Sequence, residues 1–386
     1  MTAQNLEAPR AQPRLALRWM LVFTLALVVL GGLRFARIDL LGTSFFATDN
    51  FYTWDTDDGR HVEHLNIDIS QYLAMVEDYR GVEGAFEKQE PYPEFAANYD
   101  TWKGPVDPFT QRVALPWLAS LLPLDSSYAF ALVNLALVVA GLWFLVDALA
   151  VRGSSPTAQA VGAVLYTFAL PVVVYTSALF IDGGVVGVLV FGYWLLVRRY
   201  WAALVVFFPV SYLVKEALLI LAPAVVWAWK ADGNSYKDPR FVLGAALSAA
   251  GVLVTAWWVA ASAPEAVFSF TVMPTLNWLR INLTSPVSAV YFAVSLAPVV
   301  IPALLGIRHL VRNGGTRAAL FSRWGPDIVG FVAVILMNVY SIVSTDLTAR
   351  TGWLIWPFAI GLAAIWVDQV SDLPQRFDRR LTPART

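Results

Sequence analysis

Long apolar runs separated by short polar segments make up most of the chain, and one long polar stretch follows the first run. A helix needs about 20 apolar residues to cross the hydrocarbon core of a bilayer. Ten runs approach that length, so we expect about ten transmembrane helices. The predicted spans are 17–33, 128–150, 157–179, 183–197, 200–214, 217–229, 241–261, 287–307, 328–343 and 353–367.

The spans on either side of Lys215 and Glu216 are short, so they are either two crossings or one broken crossing. Charge favours two, because Lys and Arg concentrate in cytoplasmic connections. With a cytoplasmic N-terminus and a break at Lys215, every inner connection is basic. These connections carry Arg152, Arg198, Arg199, Lys230, Lys237, Arg240, Arg308, Arg312, Arg317 and Arg323, and the tail carries Arg376, Arg379, Arg380 and Arg385.

The sequence therefore predicts a single integral domain in the cell inner (plasma) membrane with both termini cytoplasmic. Residues 1–16 and 368–386 are the predicted tails, 35–126 the first extracytoplasmic loop, and 127–367 the transmembrane bundle. The run at 17–33 is too long for a typical signal-peptide core and has no small-residue cleavage site behind it, so we expect it to be retained.

Composition agrees with an all-α polytopic membrane protein. Hydrophobic residues make up 58% of the chain and charged residues 14%, whereas soluble domains carry about 25% charge. The net charge of −1 gives no indication of nucleic acid as a partner. With no cysteine in the sequence, disulfides, thiol nucleophiles and zinc–thiolate sites are excluded.

Two stretches of the first loop have the apolar spacing of amphipathic helices. The first places Ile69, Tyr72, Leu73, Val76 and Tyr79 on one face, and the second covers 109–122. Both patterns are typical of helices whose apolar face lies in lipid at the membrane interface. We also expect the loop to pack over the bundle.

Isolated charges lie at the predicted outer ends of the spans, on the same side as the long loop. Each one is also explained as a polar helix end that reaches water, but as a set they indicate a functional site on the outer face. They are Asp182, Lys215, Glu216, Arg280, Asp346 and Arg350.

Two short motifs carry a resemblance to a known superfamily. Asp68-Ile-Ser-Gln-Tyr72 and Pro108-Phe-Thr-Gln-Arg-Val-Ala-Leu-Pro116 resemble elements of the GT-C-fold glycosyltransferases. The resemblance implies inverting transfer of a sugar from a polyprenyl-phosphate-linked donor to a glycan, lipid or protein acceptor, with Asp68 as general base. Family members typically carry the acid as Asp-Glu or Asp-Asp, whereas Ile69 follows Asp68, so the pair Asp57-Asp58 is a competing candidate.

The chemistry of such a transfer suggests roles for the charged residues. A carboxylate within hydrogen-bond reach can deprotonate the acceptor hydroxyl, and positioned cations stabilise the departing phosphate. The cations available for the donor phosphate are Arg112, Lys215, Arg280 and Arg350, and Arg suits bidentate phosphate contacts better than Lys. Tyr72, Asp182, Glu216 and Asp346 are further candidates for the site.

Structural roles compete with each assignment. Asp68 is also a favoured helix cap, and Arg112 has the features of a side chain that reaches headgroups from an interfacial helix. Lys215 and Glu216 are equally explained by pairing with neighbours to close a turn. Asp182 before two glycines is a turn signal, and Asp346 and Arg350 have the spacing of a salt bridge within one helix.

Two further possibilities concern metals and function. His61 and His64 beside Asp57 and Asp58 match no strong metal motif, so no metal site is predicted, and Mg²⁺ or Mn²⁺ stays a possible cofactor. The alternative functions are a multi-pass transporter or lipid flippase and a non-catalytic assembly factor. Transporters bind substrate near the bilayer midplane, whereas the middles of these spans are almost uncharged.

Overall fold

The computed structural model describes residues 14–40, 51–55, 61–65, 67–88, 104–169, 172, 180–266, 268–269, 275–284, 286–344 and 352–371. These residues form an all-α fold with two short two-stranded sheets. The helices are α1 (Leu17–Leu40), α2 (Ile67–Tyr79), α3 (Ala114–Ser120), α4 (Ser126–Val151), α5 (Pro156–Thr167), α6 (Asp182–Val197), α7 (Trp201–Val214), α8 (Ala222–Ala231), α9 (Pro239–Ser262), α10 (Leu276–Thr284), α11 (Pro286–Leu320), α12 (Gly325–Ser344) and α13 (Trp356–Ser371).

Three 3₁₀ turns and four short strands complete the described elements. The 3₁₀ turns are Phe109–Gln111, Glu216–Leu221 and Trp353–Ile355. Strands β1 (Phe51–Asp55) and β2 (His61–Leu65) pair antiparallel, and β3 (Val106–Asp107) pairs parallel with β4 (Phe268–Ser269). The second pairing joins the first long loop to the loop before α10.

The expected all-α membrane character is confirmed. Five described helices are long and apolar enough to cross a membrane, and three shorter apolar helices accompany them. The long helices are Ser126–Val151, Pro239–Ser262, Ala293–Leu320, Gly325–Ser344 and Trp353–Ser371, and the shorter ones are Leu17–Leu33, Asp182–Val197 and Trp201–Val214.

The chain reverses direction at Lys215. Helix α7 ends at Val214, Lys215 has an extended backbone, and the 3₁₀ turn Glu216–Leu221 leads into α8. The far end of α8 returns to the start of α7, because Arg199 Nη2 lies 2.7 Å from Asp232 Oδ1 and the rings of Trp201 and Trp229 lie 5.3 Å apart. The two arms are therefore antiparallel, and they do not run in one direction as a single interrupted helix.

Close packing of α4 against α6 organises the centre of the bundle. A side chain at Gly187 would clash with the carbonyl oxygen of Leu137, and one at Gly184 would meet Leu115 and Asn134. The backbone N–H of Gly184 instead donates to Asn134 Oδ1 at 2.9 Å. Glycines near the start of α6 thus let the two helices approach to backbone contact.

One end of the bundle, here called the basic end, gathers most of the described Arg residues. It contains the C-termini of α4, α6, α8, α11 and α13 and the N-termini of α5, α7 and α12. Arg14 and Arg198 both contact Asp147 there, and Arg152 Nη2 lies 2.7 Å from Asp327 Oδ2. The indole of Trp227 donates to the carbonyl of Leu320 at 2.8 Å.

The opposite end, here called the loop end, is covered by α2 and α3. Arg80, just after α2, donates to Ser126 Oγ at 2.9 Å and to the carbonyls of Leu122 and Leu124 at 3.0 and 2.7 Å. These bonds tie the first loop to the start of α4. The described part of the loop therefore packs on the bundle.

The interfacial position expected for α2 is wrong. Ile69, Tyr72 and Val76 of its predicted apolar face are fully buried, and Tyr79 is 41% exposed. The helix packs against α3 and α4, so its apolar face contacts protein instead of lipid. The second predicted helix is divided into the turn Phe109–Gln111 and α3, and its outward side chains Trp117 and Leu121 are exposed.

Candidate functional site

Charged and polar side chains from three distant segments meet at the loop end of the bundle. We call them the loop-end cluster, and its members are Asp68, Tyr72, Arg112, Asp182, Lys215 and Glu216. Asp68, Arg112 and Asp182 are buried, with exposed fractions of 8%, 8% and 3%. Because buried charges are costly unless they are paired or hydrogen-bonded, the arrangement requires specific partners.

Arg112 occupies the centre of the cluster. It follows the 3₁₀ turn Phe109–Gln111, in which Thr110 Oγ1 donates back to Asp107 Oδ1 at 2.6 Å. Its Nη2 and Nε donate to the two carboxylate oxygens of Glu216 at 2.8 and 3.3 Å. Its Nη1 donates to the hydroxyl of Tyr72 at 3.1 Å. One guanidinium therefore joins the first loop to the turn between α7 and α8.

Tyr72 is fully enclosed by aromatic rings and charges. Its ring stacks on Phe130 at 5.6 Å and meets Phe109 edge-on at 5.8 Å. Burial raises its pKa, Arg112 opposes this effect, and the charges of Asp68 and Asp182 raise the pKa further. Tyr72 is thus a neutral phenol at physiological pH, with its oxygen accepting from Arg112.

Arg112 and Glu216 shift each other's pKa. Burial works against the charge on Arg112, but Tyr72 and Glu216 outweigh it, so the pKa of Arg112 is raised. Because Tyr72 is uncharged, Glu216 is the partner whose charge stabilises the Arg112 cation at neutral pH. Burial alone would raise the pKa of Glu216, and Arg112 lowers it below the ordinary value of 4.5.

Asp182 and Lys215 form a second ion pair in the cluster. Asp182 lies in the first turn of α6, where a helix N-terminus favours negative charge. Lys215 Nζ lies 2.9 Å from Asp182 Oδ1. Its extended backbone ends α7, so the ion pair fixes the reversal of the chain against the start of α6.

Asp68 lies in the first turn of α2, one helical turn before Tyr72. Residues four apart share a helix face, and the charge of Asp68 raises the pKa of Tyr72. Asp68 therefore belongs to the cluster and does not face open solvent. The helix begins at Ile67, so Asp68 complements its N-terminus from inside the first turn.

The structure decides between the alternative roles predicted for Arg112, Lys215 and Glu216. Arg112 points into the protein towards Glu216, so the prediction that it reaches lipid headgroups is wrong. Lys215 and Glu216 are paired, but with Asp182 and Arg112 from distant segments, whereas the turn-closing alternative placed their partners among neighbours in the turn. Both cations proposed for phosphate binding from this region thus contact carboxylates.

Of the five other predicted site residues, the structure describes only Arg280. Arg280 is exposed on α10. Asp57, Asp58, Asp346 and Arg350 lie outside the described residues, and so does the proposed pairing of the last two. Within the described ranges, no three His, Cys, Asp or Glu side chains form a group that suits a metal ion.

Sequence reasoning missed a second buried charged group, which lies at the basic end. Asp327 is fully buried and accepts from the hydroxyl of Tyr193 at 2.6 Å, while Arg152 pairs with it and lies 5.0 Å from the ring of Trp324. Arg152 was recognised as a basic connection only. The sequence signal for the Arg152–Asp327 pair was an acidic residue in the first turn of α12, after a basic loop, on the same predicted cytoplasmic side as Arg152.

Comparison of the chain with family models, curated proteins and solved structures finds no significant match.

Proposed function

We propose that the chain is a membrane glycosyltransferase that moves a sugar from a polyprenyl-phosphate-linked donor to a glycan, lipid or protein acceptor at the extracytoplasmic face. The observation that carries the proposal is the burial of Asp68 next to Tyr72, whose hydroxyl accepts from Arg112, at the end of the bundle that the first loop covers. A carboxylate held in a loop-covered site at a bilayer boundary suits transfer from a lipid-borne donor.

Asp68 is the general base in this proposal. Its carboxylate takes the proton of the acceptor hydroxyl while the acceptor oxygen forms a bond to the anomeric carbon of the sugar. The bond from that carbon to the phosphate oxygen breaks, and its electron pair leaves on the polyprenyl phosphate. A single displacement of this kind inverts the anomeric configuration.

The ion pairs of the cluster support this chemistry by fixing the reacting end of the bundle. Arg112 and Lys215 hold the first loop, the start of α6 and the chain reversal in one arrangement. When donor binds, its phosphate is an alternative partner for these cations, and the exposed Arg280 is a third candidate. Arg350 completes the proposed set, and Mg²⁺ or Mn²⁺ is an optional cofactor.

The proposed topology is ten crossings in the plasma membrane with cytoplasmic termini. The antiparallel arms around Lys215 support the even count. The gathering of arginines at the basic end supports its cytoplasmic location, because positive residues concentrate on that side. The loop-end cluster is then extracytoplasmic.

A transporter is the second candidate, and the buried contact of Arg152 with Asp327 is the observation that favours it. Buried ionisable pairs mark ion pathways in many transporters. This pair lies at the basic end, however, whereas transporter sites lie near the midplane. The position of this ion pair away from the bilayer midplane therefore favours sugar transfer over substrate transport.

The direct test uses purified full-length protein in proteoliposomes with a panel of labelled polyprenyl-phosphate hexoses and pentoses and a membrane extract as acceptor source. We expect donor-dependent appearance of labelled product, measured with and without EDTA. Uptake or flipping of the labelled lipid without any new glycosidic product would contradict transfer and support transport.

A further inference from the structure

A cavity with two arginines lies between α11 and α13 near the basic end. Its volume is about 180 Å³, and it is lined by Leu305, Arg308, His309, Arg312, Trp366 and Gln369. None of these six described residues is acidic. The cavity is far in sequence from every member of the loop-end cluster.

Close contact between the two helices defines one boundary of the cavity. Gly306 packs directly on the backbone of Leu362, because a side chain at Gly306 would clash with the carbonyl oxygen of that residue. The lining residues other than Leu305 lie between this contact and the C-termini of both helices. Arg308 and Arg312 are four residues apart, so they share one face of α11.

The depth of Arg308 matches a headgroup layer. From Pro286, where α11 begins, to Arg308 is 22 residues, or roughly 33 Å at the rise of an α-helix. The hydrocarbon core of a bilayer is about 30 Å thick. If Pro286 lies at one membrane–water boundary, Arg308 therefore lies at the other. Trp side chains such as Trp366 are enriched at that boundary.

An exposed apolar strip leads along α11 to these arginines. Ile301 is 57% exposed and Leu304 is 50% exposed, and they precede Arg308 by seven and four residues, which puts them on its face. A lipid lying against this strip would place its acyl chains on Ile301 and Leu304 and its headgroup between Arg308 and Arg312.

We propose that this cavity binds the phosphate of an anionic phospholipid from the leaflet at the basic end. Arg308 and Arg312 contact the phosphodiester, Trp366 and Gln369 border the headgroup, and the apolar strip receives the acyl chains. Basic pockets between transmembrane helices on the cytoplasmic side suit such headgroups. The proposal is independent of the activity assigned to the loop end.

Native mass spectrometry of the full-length protein with dioleoylphosphatidylglycerol tests the site. We expect wild type to bind this lipid in preference to dioleoylphosphatidylcholine, and Arg308→Gln/Arg312→Gln to weaken binding by roughly thirtyfold, as expected for two lost cationic contacts at a membrane surface. Each single variant should lose an intermediate amount. Because both side chains are exposed, the thermal stability of the variants should stay unchanged.

The matched control is Lys237→Gln/Arg240→Gln, which removes the same charge from exposed positions outside the cavity. Equal losses in both double variants would mean general surface attraction and would overturn the site. Displacement of the lipid by millimolar glycerol 3-phosphate would overturn the phospholipid assignment in favour of a free-anion site.

Discussion

Among single residues, the contact of Arg112 with Glu216 ties the first loop to the chain reversal at Lys215. Both carboxylate oxygens of Glu216 accept from the guanidinium, at 2.8 and 3.3 Å. Their contact joins positions 104 apart in sequence, and no local spacing rule predicts such a pairing. The burial of Tyr72 between Phe109 and Phe130 likewise depends on how the first loop packs.

Removing the charge of Glu216 should destabilise the protein. In Glu216→Gln, the guanidinium of Arg112 stays buried and loses its charged partner, which costs about 1–3 kcal/mol. We expect the lower end because the Glu216 side chain is 49% exposed and water screens the contact. Thermal unfolding in detergent should show a lower midpoint than wild type.

The pKa of Glu216 predicts how the stability of the wild-type protein depends on pH. Arg112 lowers the pKa of Glu216 in the folded state, so the ion pair stabilises the protein above the unfolded pKa and its contribution is lost as pH falls through the folded value. Wild-type stability should therefore drop below about pH 4.5, with a smaller drop in Glu216→Gln. Exposed Glu83→Gln is the control, and equal behaviour of the two variants would contradict the pairing.

At the scale of elements, the positions of the apolar helices were predictable because each run must bury its backbone polar groups in hydrogen bonds within the helix. The orientation of α2 was not predictable. An apolar face at helical spacing suits lipid and protein equally well, and only the packing of α2 on α3 and α4 decides between them.

The antiparallel arms α7 and α8 can be tested by crosslinking, because the chain contains no native cysteine. In Trp201→Cys/Trp229→Cys, the new thiols replace rings that lie 5.3 Å apart. A short bifunctional thiol reagent should join them, with the product identified by mass spectrometry of the peptides. The control pair Trp201→Cys/Leu276→Cys spans the two ends of the bundle and should not react, whereas crosslinking of the control alone would contradict the reversal.

At the scale of the whole molecule, charge along the sequence predicted a two-sided protein, and the described residues place most arginines at one end of the bundle. The buried contact of Arg152 with Asp327 was not predictable, because the rule for positive residues concerns connections and says nothing of partners. The proposed orientation rests on this same asymmetry.

Labelling of single cysteines in intact cells tests the orientation. Glu83→Cys belongs to the first loop and Thr316→Cys to the basic end, and both positions are exposed. A membrane-impermeant maleimide should label the first variant directly and the second only after permeabilisation. The reverse pattern would place the loop-end cluster in the cytoplasm and exclude an extracytoplasmic site.

The proposed reaction depends on proton transfer to the carboxylate of Asp68. The decisive measurement is the rate of labelled product formation by purified Asp68→Asn beside Asp78→Asn, which removes an exposed carboxylate from the same helix. We expect the first variant to stay folded and lose transfer by about 10²–10⁴-fold, and the second to keep it. Undiminished transfer by folded Asp68→Asn would exclude Asp68 as the base.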